Sequence, residues 1–287
     1  MNGKYNLKLA ACIFIMILTF PIAASAGLVE RDGHKRARIA ECFNDSAAQL
    51  LLLQFDSPFR DIGATPPAWQ TLMSATPQDI ANLDDTLVIS AYDMIVTGDM
   101  EYAKKLEERG VVRQITPVWN ERIILVGPID RTGEMSGLSA GDILKKVHAG
   151  GDLFFSLLTD KRSIEVESEL WRTAGVDYPQ DGKGYVETGR DPVSALMQVG
   201  DERGFMLVGE ASFALYIDAE RFEPSITKMA DTEYFRTSAA CLLENSGFRK
   251  DRAADARKYI EWFTGADAEK IITSFSIGGI NPFSSVK

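Results

Sequence analysis

Histidine is almost missing from this chain: His34 and His148 are the only two in 287 residues. A His-centred catalytic triad and a histidine-rich metal site both lack the residues they need. Cysteine is nearly as scarce, with Cys12, Cys42 and Cys241 and no CxxC spacing, which removes the common zinc and dithiol motifs. Neither GxGxxG nor GxxxxGKS/T occurs, so no loop is built to cradle the phosphates of a nucleotide. Heptads, internal repeats and low-complexity tracts are also missing. Positive charge is in deficit, with 31 Lys and Arg against 41 Asp and Glu and a formal charge of −10. Such a balance disfavours nucleic acid and anionic membrane surfaces as partners. No catalytic group, cofactor or metal site is therefore expected, and an enzyme is not the expected reading; carboxylates in an acidic chain are for the most part a solvated face.

What the sequence does have begins at its start. Lys4 and Lys8 precede an apolar run from Leu9 to Ile22, and Ala24-Ser25-Ala26 follows it. This order of charged, apolar and small residues is that of a secretory signal peptide over 1–26, cleaved before Gly27. The run is too short for a good membrane anchor. Losing Lys4 and Lys8 takes the formal charge from −10 to −12. The mature chain, about 260 residues, suits one or two domains and is expected in the periplasm. Its two cysteines, Cys42 and Cys241, could pair in an oxidising compartment.

Short apolar strands alternate with amphipathic helices through the mature chain. Strands are expected over 37–43, 86–91, 123–126, 152–158, 204–208 and 239–243. Helices are expected over 47–55, 68–73, 101–109, 139–148, 165–173, 192–199, 252–263 and 267–275. Residues 185–189 read as part of a glycine-rich loop, and Pro117 as a break in the run 111–126. Alternation of this kind gives an α/β fold with mainly parallel sheets flanked by helices, here in two lobes with 111–128 crossing between them. A small ligand then sits between the lobes.

Two polar stretches are candidates to hold it. Asn44, Asp45 and Ser46 stand at the N-cap of the helix over 47–55, where their side chains accept from its first N–H groups; a plain cap without a ligand has the same appearance. Thr159, Asp160, Lys161, Arg162 and Ser163 lie between the strand over 152–158 and the helix over 165–173. In open α/β proteins such a loop presents backbone N–H groups and the positive end of a helix dipole to a ligand. A solvated loop, with Lys161 and Arg162 paired to Asp160 or Glu165, fits the same spacing.

Several unlinked segments carry a resemblance. They are Glu101 to Pro128, Phe155 to Gly175 with Glu167, Trp171 and Gly175, Tyr185 to Gly189, Gly204 to Ser212, and Arg252 to Phe283. In order and spacing they resemble the periplasmic solute-binding proteins of ABC importers, most closely the tungstate-binding branch with its type II two-lobed fold. The likeness covers nearly the whole mature chain from about Asp45 on. It implies lobe one over 27–117 and 222–287 and lobe two over 118–221. It further implies hinge closure on a small solute, a membrane permease as partner, and a monomer. On that topology Cys42 and Cys241 share a lobe, and a disulfide between them is expected. The expected ligand residues are Asn44, Asp45, Ser46, Ala64 and Thr65 from lobe one and Thr159, Lys161, Arg162 and Ser163 from lobe two, with Glu210 as a discriminating residue.

The departures from that branch fall at these positions. Its hydroxyl-rich run after the first strand corresponds to Ile39 to Asn44 here, with Ser46 just beyond. Its second-lobe loop, roughly Ser-Arg-Gly-Asp-x-Ser-Gly-Thr, corresponds to Ser156 to Ser163, where only the first Ser matches. Its Thr-Asp-Arg after a later strand is replaced by Val208-Gly209-Glu210-Ala211, so that arginine is missing. A tungstate-like oxyanion is held by neutral donors and a cation, and extra carboxylates repel it. Glu41 and Glu210 in the cleft would repel such an anion, whereas Lys161 and Arg162 would attract one. The combination points to a small anionic or polar solute, either a tungstate-like oxyanion or an organic anion with an amine or hydroxyls. The alternative is a binding-protein homologue that serves a periplasmic signalling, respiratory or assembly system as an accessory or sensory partner.

Overall fold

The continuous apolar runs become the inner strands of one mixed sheet. The computed structural model describes residues 92–177, 184–219, 224–243 and 250–286, the strands Arg38–Cys42 and Ala68–Thr71, and the helical residues Ala48, Leu50, Leu51, Leu52, Gln54 and Phe55. In chain order the strands are β1 (Arg38–Cys42), β2 (Ala68–Thr71), β3 (Met94–Thr97), β4 (Val112–Pro128), β5 (Phe154–Leu157), β6 (Tyr185–Thr188), β7 (Phe205–Gly209), β8 (Ile226–Leu243) and β9 (Phe283–Ser285). The helices that pack on them are α1 (Met100–Glu108), α2 (Ala140–Gly150), α3 (Lys161–Thr173), α4 (Pro192–Glu202), α5 (Glu210–Ala219), α6 (Lys250–Phe263) and α7 (Ala266–Ser274). Their order across the sheet is β2-β1-β3-β8-β4-β7-β5-β6, with β9 added to β4.

Each half of that order is mainly parallel. The strands β1, β2 and β3 are mutually parallel at one end, and β5, β6 and β7 at the other. The two long strands β4 and β8 run antiparallel to each other through both halves. Alternation along the strands decides which helices cover which face. In the first half Met94, Val96, Ala240 and Leu242 face a core with Leu51, Phe55, Trp119, Tyr259 and Phe263. Their neighbours Ile95, Ala239, Cys241 and Leu243 face Tyr102, Ala103 and Leu106 of α1. In the second half Ile123, Leu125, Phe205 and Leu207 pack on α2 and α3, while Ile124, Val126, Met206 and Val208 pack on α4 and α5. Strands covered on both faces have no polar side to show, which is why they read as uninterrupted apolar runs.

Several sequence expectations change. The stretch expected as a helix over 68–73 contains β2, because Trp69 and Thr71 favour a strand and β1 offers a parallel partner; a backbone ladder outweighs a weak helical pattern. Residues 185–188, read as loop, form β6 beside β5. Pro117 does not end β4: it pairs with Ala239 next to a register shift before Trp119, the kind of irregularity where a strand tolerates proline. The strand expected over 86–91 lies outside the described residues, and β3 follows at Met94.

The expected Cys42–Cys241 disulfide is not formed, since Cys241 is a free, buried thiol. The register gives the reason. Cys42 stands opposite Thr97 on one side of β3, and Cys241 opposite Ile95 on the other. Two strand spacings, roughly 9.5 Å, exceed the Cα separation of about 7 Å that a disulfide can span. Burial, helped by Glu107, pushes the Cys241 thiol up to about 12. Thiol labelling of the native mature protein should therefore leave Cys241 unreacted, and labelling in denaturant without reductant should find two thiols. Finding none would restore the disulfide.

Candidate ligand cleft

Register alone places a cleft. Thr97, the last residue of β3, pairs with Ala239 of β8, and Gly209, the last of β7, pairs with Ile123 of β4. Since β4 and β8 are antiparallel and each binds its neighbour antiparallel, the strands of the two halves point their C-termini toward each other. They stop on either side of residues 118–122 of β4 and 235–238 of β8. Crevices at the carboxyl ends of strands are where open α/β sheets bind ligands.

Three helices begin at this crevice, and each N-terminus already meets a carboxylate of the chain. Asp99 caps α1 by accepting from the Tyr102 N–H at 2.9 Å. Asp160 caps α3, accepting from the Ser163 N–H at 3.2 Å and from the Ser163 hydroxyl at 2.8 Å. At the start of α5 the Ala211 N–H donates to Glu121 Oε1 at 3.0 Å, across from β4. Each bond satisfies an otherwise orphan donor and sets a negative charge against the positive end of a helix dipole.

Arg236 joins two of these carboxylates. On β8 it pairs directly with Glu121 in the β4 register, and its guanidinium donates to Glu121 Oε2 at 2.6 Å and to Asp160. The side chains of Glu121, Asp160 and Arg236 are 3%, 6% and 12% exposed, so water screens these charges little. A second ion pair joins the halves: Lys161 at the start of α3 reaches Glu101 at the start of α1. Lys105 also holds Glu101, at 2.7 Å, and the two lysines keep its carboxyl down at about 2, with Lys105 the larger cause. These groups are exposed, so salt weakens the contact.

The expected site residues thus divide. Asn44, Asp45, Ser46, Ala64 and Thr65 lie outside the described residues. Lys161, Arg162 and Ser163 are not in a loop; they form the first turn of α3, because Asp160 caps the helix earlier than the apolar periodicity indicates. Thr159 donates to the Arg190 carbonyl at 2.7 Å. Arg162 donates to the Phe235 carbonyl at 2.9 Å and to Glu165 at 3.0 Å, and Glu210 accepts from Lys228 at 3.1 Å. Sequence reading missed Glu121 and Arg236. The available signal for the first was a carboxylate set between Trp119 and the buried run 123–126.

One GxSxG pattern, Gly137 to Gly141, invites comparison with a nucleophile elbow. Its Ser139 is instead the N-cap of α2, accepting from the Asp142 N–H at 3.1 Å and donating to the Asp142 carboxylate at 2.7 Å. It follows a helical turn rather than a strand, and no histidine is bonded to it among the described contacts.

No protein family matches the chain, and no curated protein matches it. Solved structures do. The tungstate-binding protein TupA of Desulfovibrio alaskensis superposes with a TM-score of 0.70 at 16% identity, over 87% of this chain and 98% of its own. The tungstate ABC transporter structure from Geobacter sulfurreducens gives 0.66 at 20% identity, over 84% and 98%. Iron-bound HitA from Pseudomonas aeruginosa gives 0.60 at 13% identity, over 84% and 85%. The register-built cleft and these superpositions agree: this chain has the α/β, two-lobed type II fold of the periplasmic binding proteins.

Proposed function

We propose that the chain is the periplasmic solute-binding component of an ABC importer, closing lobe one (27–117 and 222–287) and lobe two (118–221) on a small solute. The observation that carries this reading is the convergence of strand C-termini and helix N-termini from both halves on the middle of β4 and β8, with Arg236 between them. Among the described residues no helix is long and apolar enough to cross a membrane, and none of the side-chain clusters could hold a metal ion. Export to the periplasm through the segment 1–26 and delivery to a membrane permease belong to the same proposal.

Within the class of small anionic or polar solutes, the cleft favours one that carries both signs or several polar groups. Arg236, Lys161, Arg162 and Lys228 each already hold a carboxylate, so none is held in reserve for an anion. A thermal-shift screen against tungstate, molybdate, sulfate, phosphate, small organic acids and amino acids tests the reading. A ligand at a hundred times its Kd stabilises by about 2.7 kcal/mol, which for a chain of this size is roughly 5–11 °C in Tm. We expect a shift of that size from an organic solute with an amine or hydroxyls. A flat response to the whole panel would count against solute binding.

A further inference from the structure

The places where an oxyanion would be held in this cleft are filled by the chain itself. A divalent oxyanion seated at the N-termini of α3 and α5 beside a guanidinium would set its oxygens where the carboxylates of Asp160 and Glu121 now lie. The fit is specific. A Cβ on Gly209 would come within 2.1 Å of Glu121 Oε1 and 3.2 Å of the Arg236 guanidinium, so the bare backbone there makes room for that carboxylate. Among the described residues two carboxylates meet one guanidinium here, an excess of one negative charge. In a poorly screened setting that excess repels a second anion and attracts a cation.

We propose that Glu121 and Asp160 act as an internal dianion that sets the specificity of the cleft. They exclude divalent oxyanions of the tungstate, molybdate and sulfate type. The seat is left to a solute that brings a cationic nitrogen together with its polar or anionic groups. The proposal rests on the solute-binding reading and names the solute class for the same site.

Calorimetric titration of the purified mature protein tests it, with sodium tungstate and sodium sulfate as one set of probes and amino acids, betaines and diamines as the other. The variants are Glu121→Gln, which still accepts from the Ala211 N–H, and Asp160→Asn, which still caps α3. Wild type is expected to bind a member of the nitrogen-bearing set and to give no heat with tungstate at about 1 mM, while each folded variant gains at least about tenfold in tungstate affinity. Near-UV circular dichroism checks that the variants are folded. Tungstate binding to wild type at micromolar Kd, or folded variants with no gain, overturns the proposal and leaves solute binding standing. Should the variants not fold, wild type decides alone, by whether the nitrogen-bearing solutes or the oxyanions bind more tightly. Binding of neither set removes the solute-binding reading together with the inference.

Discussion

Arg236→Met should destabilise the protein by about 3–5 kcal/mol, the usual cost of removing one partner from a buried ion pair. Methionine fills much of the same volume, so the loss comes from charge rather than from a cavity. Glu121 and Asp160, 3% and 6% exposed, would then face each other's charge without the guanidinium that lies between them. For a chain this long the loss is roughly 6–20 °C in Tm. Denaturant melts of Arg236→Met, Glu121→Gln and the double variant measure the coupling directly. Since the guanidinium is what makes a buried Glu121 charge tolerable, adding Glu121→Gln to Arg236→Met should restore part of the loss. A double variant as unstable as the two single losses added together would show that the pair is not coupled.

The same cluster shows what the sequence could and could not convey. The strands β5 and β7 are legible because every position is buried and Ser156 of β5 is the one polar side chain in their apolar runs. The strand β8 is visible only in its last five residues. Its first part, ITKMADTEYFRTS, is mostly half-buried, with Lys228, Asp231 and Glu233 exposed, and carries the polar residues that such a surface needs. Residues 185–188 read as loop because four residues between glycines give too few alternations to count, and only the β5 ladder fixes them as a strand. Glu121 and Arg236 lie far apart along the chain, and Asp160 comes from a different element again, so no local spacing joins them. Their meeting is a product of the β4–β8 register. Where the local rule was sufficient, at the helix caps, the sequence came close. Asp160 was visible as a polar residue before a helix, but its capping bond to Ser163 moves Lys161 and Arg162 from a ligand loop onto a helical turn, where each finds a carboxylate.

Trp119→Ala should cost a further about 3–5 kcal/mol by a different route, the loss of a large buried ring and the cavity it leaves. Trp119 is fully buried on β4, two residues before Glu121 and on the same face. Its ring lies 6.5 Å from Phe55, 6.3 Å from Phe263 and 6.1 Å from Phe283, so it ties the helical residues near 48–55, α6 and β9 into one core. That core also contains Ala211, whose N–H holds Glu121. The aromatic cluster is thus the bed on which the cleft floor rests, and its loss should reach the ion cluster as well as the stability. Ala211 belongs to the Trp119 core and bonds Glu121, the ion-pair partner of Arg236, so the costs of the two substitutions should depart from additivity by about 0.5 kcal/mol or more. Trp119→Phe separates the causes. Phenylalanine keeps a ring against the three neighbours and should retain roughly half of the stability that alanine loses. Equal losses in the two variants would place the contribution of Trp119 in the part of the indole that phenylalanine lacks, and would sink the reading that ring contact with these three neighbours carries it.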